Sequence, residues 1–443
     1  MKSYRLLPGI LTVLVPLTWA AFSAERVSGQ AASAGHPSPM SRYCAADNGG
    51  ITLPEGFCAI VVTDSLGPAR HLDVAPNGDV FVALRNGRRR GAARQTGGVA
   101  VLRDTDGDGR ADRVERWGEN GGNDVLIAED GVYFAPDDAV LRYPWRGGSM
   151  TPAGPPDTIV SGLPADRNHT AKSIVLGPDG SLYVNIGAPS NACQRKPRSL
   201  ESPGQDPCPQ LKNRAGIWEF DADRTGQTEA DGARFATGLR NVVALRMNPV
   251  DHVLYGVMHG RDQLHALWPA LYTVDQSTEK PAEEFVRIDR GADFGWPYCY
   301  FDPETGRKVL SPEYGGDGQK IGRCADKASP IIGFPAHWAP DDLLFYVAEQ
   351  FPRSYHGGAF IAFHGSWNRA PNPQDGYRVV FVPAQGKGFG TKWEIFADGF
   401  RKTSPEARGL SARPVGLATG PDGSLYISDS VRGRIWRVVY RGG

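Results

Sequence analysis

No Cys-x-x-Cys occurs anywhere in this 443-residue chain. That absence excludes a covalently attached c-type haem and argues against zinc held by closely spaced cysteines. Charge excess is missing too: 49 basic and 49 acidic side chains cancel, so no long-range field draws the protein to nucleic acid or to an acidic membrane. Nor does any apolar run reach the roughly 20 uninterrupted residues of a spanning helix. The nearest approach, MKSYRLLPGILTVLVPLTWAAFSA, is broken by Pro8 and Pro16. With Lys2 and Arg5 ahead of the apolar stretch and small residues near Ser23 and Ala24, it has the layout of a secretory signal peptide. The expectation is therefore a signal peptide over 1–24, a flexible linker over 25–42 and one domain over 43–443. That protein is periplasmic or secreted, without stable membrane insertion.

Six cysteines remain: Cys44, Cys58, Cys193, Cys208, Cys299 and Cys324. In an oxidising compartment, pairing in sequence order closes three short loops and is the simplest of the 15 connectivities six cysteines allow.

Abundant glycine and proline, 55 and 35 residues, favour turns over long helices. Used as punctuation, they reveal a recurring unit: LDVAPNGDVFVAL at 72–84, SIVLGPDGSLYVNIG at 173–187, LRMNPVDHVLYGVMHG at 245–260 and LATGPDGSLYISDS at 417–430. Each reads as strand, tight turn, strand. A weaker copy starts at Val125, and GGAFIAFHGSWNR with YRVVFVPAQG fills the remaining gap. Six units at a spacing of roughly 65 residues exceed the usual length of a four-strand propeller repeat. Such units bury their faces by stacking radially, so the chain is expected to be all-β, a six-bladed β-propeller, with functional loops at 188–214 and 261–293. A pair of β-sandwiches is the competing architecture.

The sharpest metal signal is DTDGDGRADRVE. It puts Asp104, Asp106, Asp108, the Arg110 carbonyl, Asp112 and Glu115 at positions 1, 3, 5, 7, 9 and 12 of a calcium loop, with Gly109 at the turn. No helix flanks it, so a structural Ca²⁺ is expected, with an ion-free acidic hairpin as the alternative.

Histidine is scarce, nine in all. His36, His71 and His252 have ordinary readings, in the linker and the strand repeats. His169 differs, because it stands with Arg167 and Lys172 at a strand entrance where a pocket would lie. Arg240 and Asn241 precede the next repeat, FHGSWNR offers His364, Trp367, Asn368 and Arg369, and Arg413 occupies the entrance of the last. In a propeller these entrances converge on one end of the channel, where such a set suits a planar polyanion.

Taken in order, NHTAKSIVLGPDGSLYVNIG, GLRN, HGRDQL, EEFVRIDRGADFGWPYC, AFHGSWNR and ARPVGLATGPDGSLYISD resemble the soluble pyrroloquinoline-quinone (PQQ)-dependent sugar dehydrogenases, in particular the sorbosone and pyranose dehydrogenase branch. The resemblance implies that His169 is a general base and that Arg240 and Asn241 stand beside the reactive quinone oxygen. It also implies that the Gly260 and Arg261 carbonyls hold the cofactor's Ca²⁺. Arg413 corresponds to a carboxylate-binding arginine, and His364 with Arg369 falls where the glucose-oxidising branch has a cofactor-binding lysine, in the loop that also carries Trp367 and Asn368. Glu284 and the Phe294 carbonyl match a further calcium site. Ala188 replaces an acidic residue of the glucose branch and Val243 an amide, which points away from glucose itself. A sugar substrate and a separate diffusible electron acceptor, a cytochrome or quinone, are implied as partners. The alternatives are a calcium-dependent lactonase-type propeller and a non-enzymatic binding module.

Overall fold

A computed structural model describes residues 35–87, 96–166, 168–386, 388–401 and 412–442. The expected signal peptide and Arg167 lie outside the described residues. The repeats close on tight turns in the left-handed region, with Gly78 at φ 90°, Gly180 at 81° and Gly423 at 82°, where a Cβ is disfavoured. In the corresponding turn of 245–260, His252 takes φ 54°, and its N–H bonds the Asn248 carbonyl at 2.9 Å.

Each turn joins antiparallel strands, and the strands assemble into six blades of four strands, the second carrying a short fifth strand, Gln227–Thr228, paired parallel to its outer edge. Blade 1 comprises Ala69–Val74, Val80–Leu84, Gly98–Arg103 and Arg113–Trp117; blade 2, Gly122–Ala128, Gly131–Pro136, Val140–Tyr143 and Asp157–Ser161. Blade 3 comprises Ile174–Leu176, Ser181–Ile186, Gly216–Asp221 and Ala233–Thr237; blade 4, Ala244–Met247, Leu254–Met258, Glu283–Ile288 and Ile332–Phe334. Blade 5 holds Pro340–Phe345, Ala359–Phe363, Arg378–Val382 and Glu394–Ala397. Blade 6 takes Pro414–Thr419, Leu425–Asp429 and Ile435–Tyr440 from the end of the chain and Phe57–Thr63 from its start. That exchange closes the ring. Phe57 of the closing strand sits edge-on to Phe351 at 4.8 Å and Phe396 at 5.2 Å, and burying one such ring contributes roughly 1.5–3 kcal/mol.

The first strands of neighbouring blades touch around the axis, and a polar bond crosses every junction. Asp73 accepts from the Ile127 N–H at 2.8 Å, Asp124 from Ile174 at 2.9 Å and Asp342 from Leu417 at 2.7 Å. Ser173 donates to the Val243 carbonyl at 2.6 Å, Arg246 to Leu343 at 3.0 Å and Ser428 to Arg70 at 2.6 Å. These bonds satisfy backbone groups at buried or half-buried junctions, where an unpaired group is costly.

Three expectations change in detail. Residues 35–42 are packed rather than loose: Ser38 is buried, its N–H bonds the Tyr440 carbonyl at 2.7 Å, and Pro39–Tyr43 forms a 3-10 helix. The quoted blade 5 motifs are its second and third strands, and the inner strand, PDDLLF, went unread. The expected loop 261–293 contains helices Leu264–Leu267 and Val274–Glu279, then the third strand of blade 4. Among the described residues, no helix is long and apolar enough to cross a membrane. The three disulfides do pair in sequence order, Cys44–Cys58, Cys193–Cys208 and Cys299–Cys324.

Candidate active site

An antiparallel blade brings the start of its first strand and the end of its second to the same end of the ring. One cavity of about 330 Å³ opens there, within the roughly 300–1,000 Å³ range of ligand pockets. First-strand entrances contribute Arg70, His169, Asn241 and Asp341; second-strand exits contribute Arg85, His259, Gly260 and His364. Glu283, at the entrance of a third strand, and the loop residues Asp262, His337, Trp367 and Asn368 complete much of the wall. Four of the nine histidines meet here, so the scarce residue is concentrated at the axis.

His169 sits at φ 54°, with Nδ1 2.6 Å from the Ala188 carbonyl. A carbonyl only accepts, so the hydrogen bond places the proton on Nδ1 and leaves Nε2 with its lone pair. The second strand of blade 3 is followed by Gly187 for a steric reason: a Cβ there would lie 2.5 Å from the His169 Cβ and 2.8 Å from the Asn241 Oδ1. Burial first, then the Arg240 and His259 charges, depress the His169 pKa to about 3 against the opposing Ala188 hydrogen bond. The imidazole is neutral over the whole physiological range.

Arg240 is buried and held by four hydrogen bonds. Its guanidinium donates to the Asn191 carbonyl at 3.2 Å, Asn191 Oδ1 at 3.1 Å, the Gly260 carbonyl at 2.8 Å and Asp262 at 3.0 Å. Asp262 also accepts from Arg198 at 3.1 Å and Asn368 at 2.8 Å. Burial would raise its pKa, but Arg240, His337 and Arg198 outweigh it and hold the carboxyl down at about 2. Asp341 pairs with Arg70 at 3.2 Å and faces His259 at 3.4 Å. Burial of that carboxyl is likewise outweighed by Arg70, His364 and His259, which lower its pKa. Glu283 accepts the Gly260 and Ala339 N–H groups at 2.7 and 3.1 Å. Each carboxylate of the cavity is thus held by cationic or N–H neighbours.

The other expected site residues divide. His364, Trp367 and Asn368 line the cavity, Trp367 with 62% of its surface exposed at the mouth. Arg413 stands behind His364, donating to its Nδ1 at 3.1 Å and to the Ser366 carbonyl at 3.2 Å, with its guanidinium 5.0 Å over the Tyr377 ring. Because Arg413 only donates, His364 carries its proton on Nε2, 2.7 Å from Ser430 Oγ. Arg369 points elsewhere, to the Thr278 and Ala336 carbonyls at 2.9 and 3.0 Å and to Glu279 at 2.7 Å. The Arg261 side chain is buried in an ion pair with Glu313.

The Glu284 and Phe294 calcium site requires correction. Lys308 Nζ lies 2.5 Å from Glu284 and 2.8 Å from the Phe294 carbonyl, so an ammonium supplies the positive charge between those two oxygens and leaves no call for an ion. In the DTDGDGRADRVE loop, oxygens of Asp104, Asp106 and Asp108 lie within 4.8 Å of one another. Asp112 accepts from Thr105, and Glu115 lies on a strand, in an ion pair with Arg113 at 3.6 Å. The loop touches the closing strand through Ala111 N–H and the Val62 carbonyl, at 2.8 Å.

Sequence reading missed Arg70, Arg85, His259, Glu283, His337 and Asp341. A signal existed for one of them: the His-Gly step after a second strand occurs twice, at His259-Gly260 and His364-Gly365.

A six-bladed propeller whose axial cavity is built of arginine, histidine and carboxylate side chains defines a class, and comparison with known proteins narrows it. The family described as "TrAA12-like" matches residues 51–441, and the chain belongs to it, among the PQQ sugar dehydrogenase-like propellers. It is similar to the pyrroloquinoline quinone-dependent pyranose dehydrogenase of Coprinopsis cinerea, at 28% identity over 72% of this chain and 46% of that protein. An uncharacterized Borreliella burgdorferi protein is 30% identical over 46% of this chain and 48% of its own length. The chain spans about half the length of the curated relatives it matches. By fold it resembles the holo form of the C. cinerea pyranose dehydrogenase PQQ domain, with a TM-score of 0.69, 21% identity, and coverage of 88% of this chain and 97% of that one. The calcium structure of Trichoderma reesei family AA12 also has a TM-score of 0.69, with 19% identity, 88% of this chain and 97% of that one.

Proposed function

We propose that this protein is an exported dehydrogenase that oxidises a sugar with pyrroloquinoline quinone and Ca²⁺ and hands the electrons to a separate diffusible carrier. The observation that carries the reading is His169, whose Nδ1 is committed to Ala188 while Nε2 is neutral and free in a cavity that also presents three guanidinium groups.

The donor set fits the cofactor. Arg70, Arg85 and Arg240 suit a planar tricarboxylate. The Gly260 carbonyl and the Glu283 and Asp262 carboxylates are the hard oxygens Ca²⁺ takes, and the Asn368 Oδ1 on the wall is buried without a partner. When bound, the quinone supplies the acceptor for two electrons, and Ca²⁺ supplies the Lewis acid that polarises it. His169 Nε2 takes the proton of the sugar hydroxyl as the carbon gives up its C–H hydrogen with the bonding pair. Arg240, anchored by Asn191 and Asp262, holds a fixed positive charge beside the reacting groups without moving during the step. Ala188 and Val243, which replace an acidic residue and an amide of the glucose-oxidising branch, support a substrate other than glucose. The three disulfides support export to an oxidising compartment.

A lactonase needs carboxylates converging on an axial metal. The cavity instead sets seven guanidinium and imidazole side chains against three carboxylates, a balance that favours a polyanionic cofactor over a metal alone.

Purified protein reconstituted with the quinone and Ca²⁺ is expected to reduce an artificial dye when given pyranoses or sorbosone. Absence of quinone binding together with no rate across a broad sugar panel overturns the assignment.

A further inference from the structure

Lys172 is a buried charge that the cavity chemistry leaves unused. It is fully buried and absent from the cavity wall. Its ammonium donates to the carbonyls of Pro164 at 2.8 Å and Thr170 at 2.7 Å. Asp137 and Asp138 reach it electrostatically from blade 2, and Arg85 and Arg214 oppose them. Asp137 itself is bound to Arg85 at 2.6 Å. Burial, the largest effect, pushes the Lys172 pKa down to about 8. An apolar side chain of similar length avoids that desolvation, so what the ammonium adds is its grip on two carbonyls.

Those carbonyls flank the segment that presents His169. Within it His169 holds φ 54°, a conformation that a residue with a Cβ keeps only when its surroundings over-determine it. On the far side the segment is tied by His169 Nδ1 to Ala188 at 2.6 Å and by Asn168 Nδ2 to the Pro189 carbonyl at 3.2 Å. Arg85 also bonds the Thr170 hydroxyl at 3.1 Å. The near side is held through Lys172.

We propose that Lys172 is the positioning residue of His169: by tying the Pro164 and Thr170 carbonyls to one buried ammonium it keeps Nδ1 on Ala188 and Nε2 aimed into the cavity. The role of His169 as base rests on the proposed function. The positional role of Lys172 does not.

The test compares the full-length protein with its Lys172→Met and Lys172→Arg variants. Imidazole nitrogen NMR reads the His169 tautomer, and dye-coupled kinetics at saturating quinone and Ca²⁺ read turnover. In the wild type the His169 proton resides on Nδ1 between pH 5 and 9. Lys172→Met averages the two tautomers and lowers kcat by about 10- to 100-fold, as expected for a misplaced reacting group, with sugar KM and quinone affinity within about threefold. Lys172→Arg recovers most of both signals. An unchanged tautomer in Lys172→Met overturns the proposal. So does a parallel loss of stability, quinone affinity and kcat with the tautomer intact, because that pattern marks a scaffold role alone. If Lys172→Met does not fold, Lys172→Gln and the wild-type spectrum decide: an Nε2 proton in the wild type refutes the geometry. Lack of turnover with every sugar removes the dehydrogenase reading and leaves the tautomer measurement standing.

Discussion

His169→Ala isolates the proposed base from the rest of the cavity. The wild-type imidazole has its pKa depressed to about 3, so at pH 6–8 essentially all of it is already in the proton-accepting form. Removing it therefore forfeits the whole contribution of a positioned base, a factor of roughly 10² to 10⁴ in kcat, or about 3–5.5 kcal/mol at 1.36 kcal/mol per decade. Its other atom, Nδ1, bonds a backbone carbonyl rather than facing a ligand. The structural cost is then one orphaned acceptor, about 1–3 kcal/mol of stability, and quinone affinity stays within roughly threefold. Steady-state dye reduction at saturating quinone, paired with a quinone titration, separates the two effects. A kcat loss below tenfold, or an equal fall in quinone affinity, refutes the assignment. The pH profile is a second check with a definite sign. An unfolded histidine takes up its proton near pH 6.5, and His169 in the fold does so only near 3. The stability linked to its neutral form is thus complete above about 6.5 and is lost as pH falls toward 3. The same environment leaves no His169 limb in kcat between pH 5 and 8, and a limb near 6.5 contradicts it.

Arg369→Met strands the buried Thr278 and Ala336 carbonyls while Glu279, more than half exposed, stays solvated, so urea unfolding is expected to show a loss of about 1–3 kcal/mol for each orphaned carbonyl with unchanged quinone affinity; the opposite pattern returns Arg369 to the cofactor. For the acidic loop, adding Ca²⁺ is expected to raise Tm, consistent with about 2.7 kcal/mol at a hundredfold excess over Kd. EDTA or Asp104→Asn abolishes the rise, and equal Tm values with and without Ca²⁺ rule the site out. His71 lies 3.1 Å from Asp124. Burial lowers its pKa, but Asp342 and Asp124 outweigh it and lift the value to about 9. The stability from its charged form is present below pH 6.5 and lost as pH rises through 9, on the order of 3 kcal/mol; the gap between wild type and His71→Gln in urea unfolding is expected to close between pH 6 and 10.

Local pattern alone determined the propeller. Alternation, Pro-Asp-Gly turns and their recurrence are short-range properties, and strands that cannot bury both faces by themselves must stack. It also picked out His169, Arg240, Asn241 and the His364 loop, because a polar group at the end of a strand stands out against an apolar run. The inner strand of blade 5 escaped because its link to the next strand runs over 346–358, with a 3-10 helix, Arg353–Tyr355, in place of a tight turn. Tertiary structure decided the rest. Arg70, Glu283 and Asp341 resemble any other charged residue until three blades place them around one cavity. Arg369 and Arg413 look like ligand cations until their guanidinium groups are found on protein partners. Lys308 sits where a metal was expected, because an ammonium and a divalent ion satisfy the same pair of oxygens and only packing chooses between them. Lys172 gained its role in the same way: its effect on His169 passes through two carbonyls, and no residue pattern records where a carbonyl points.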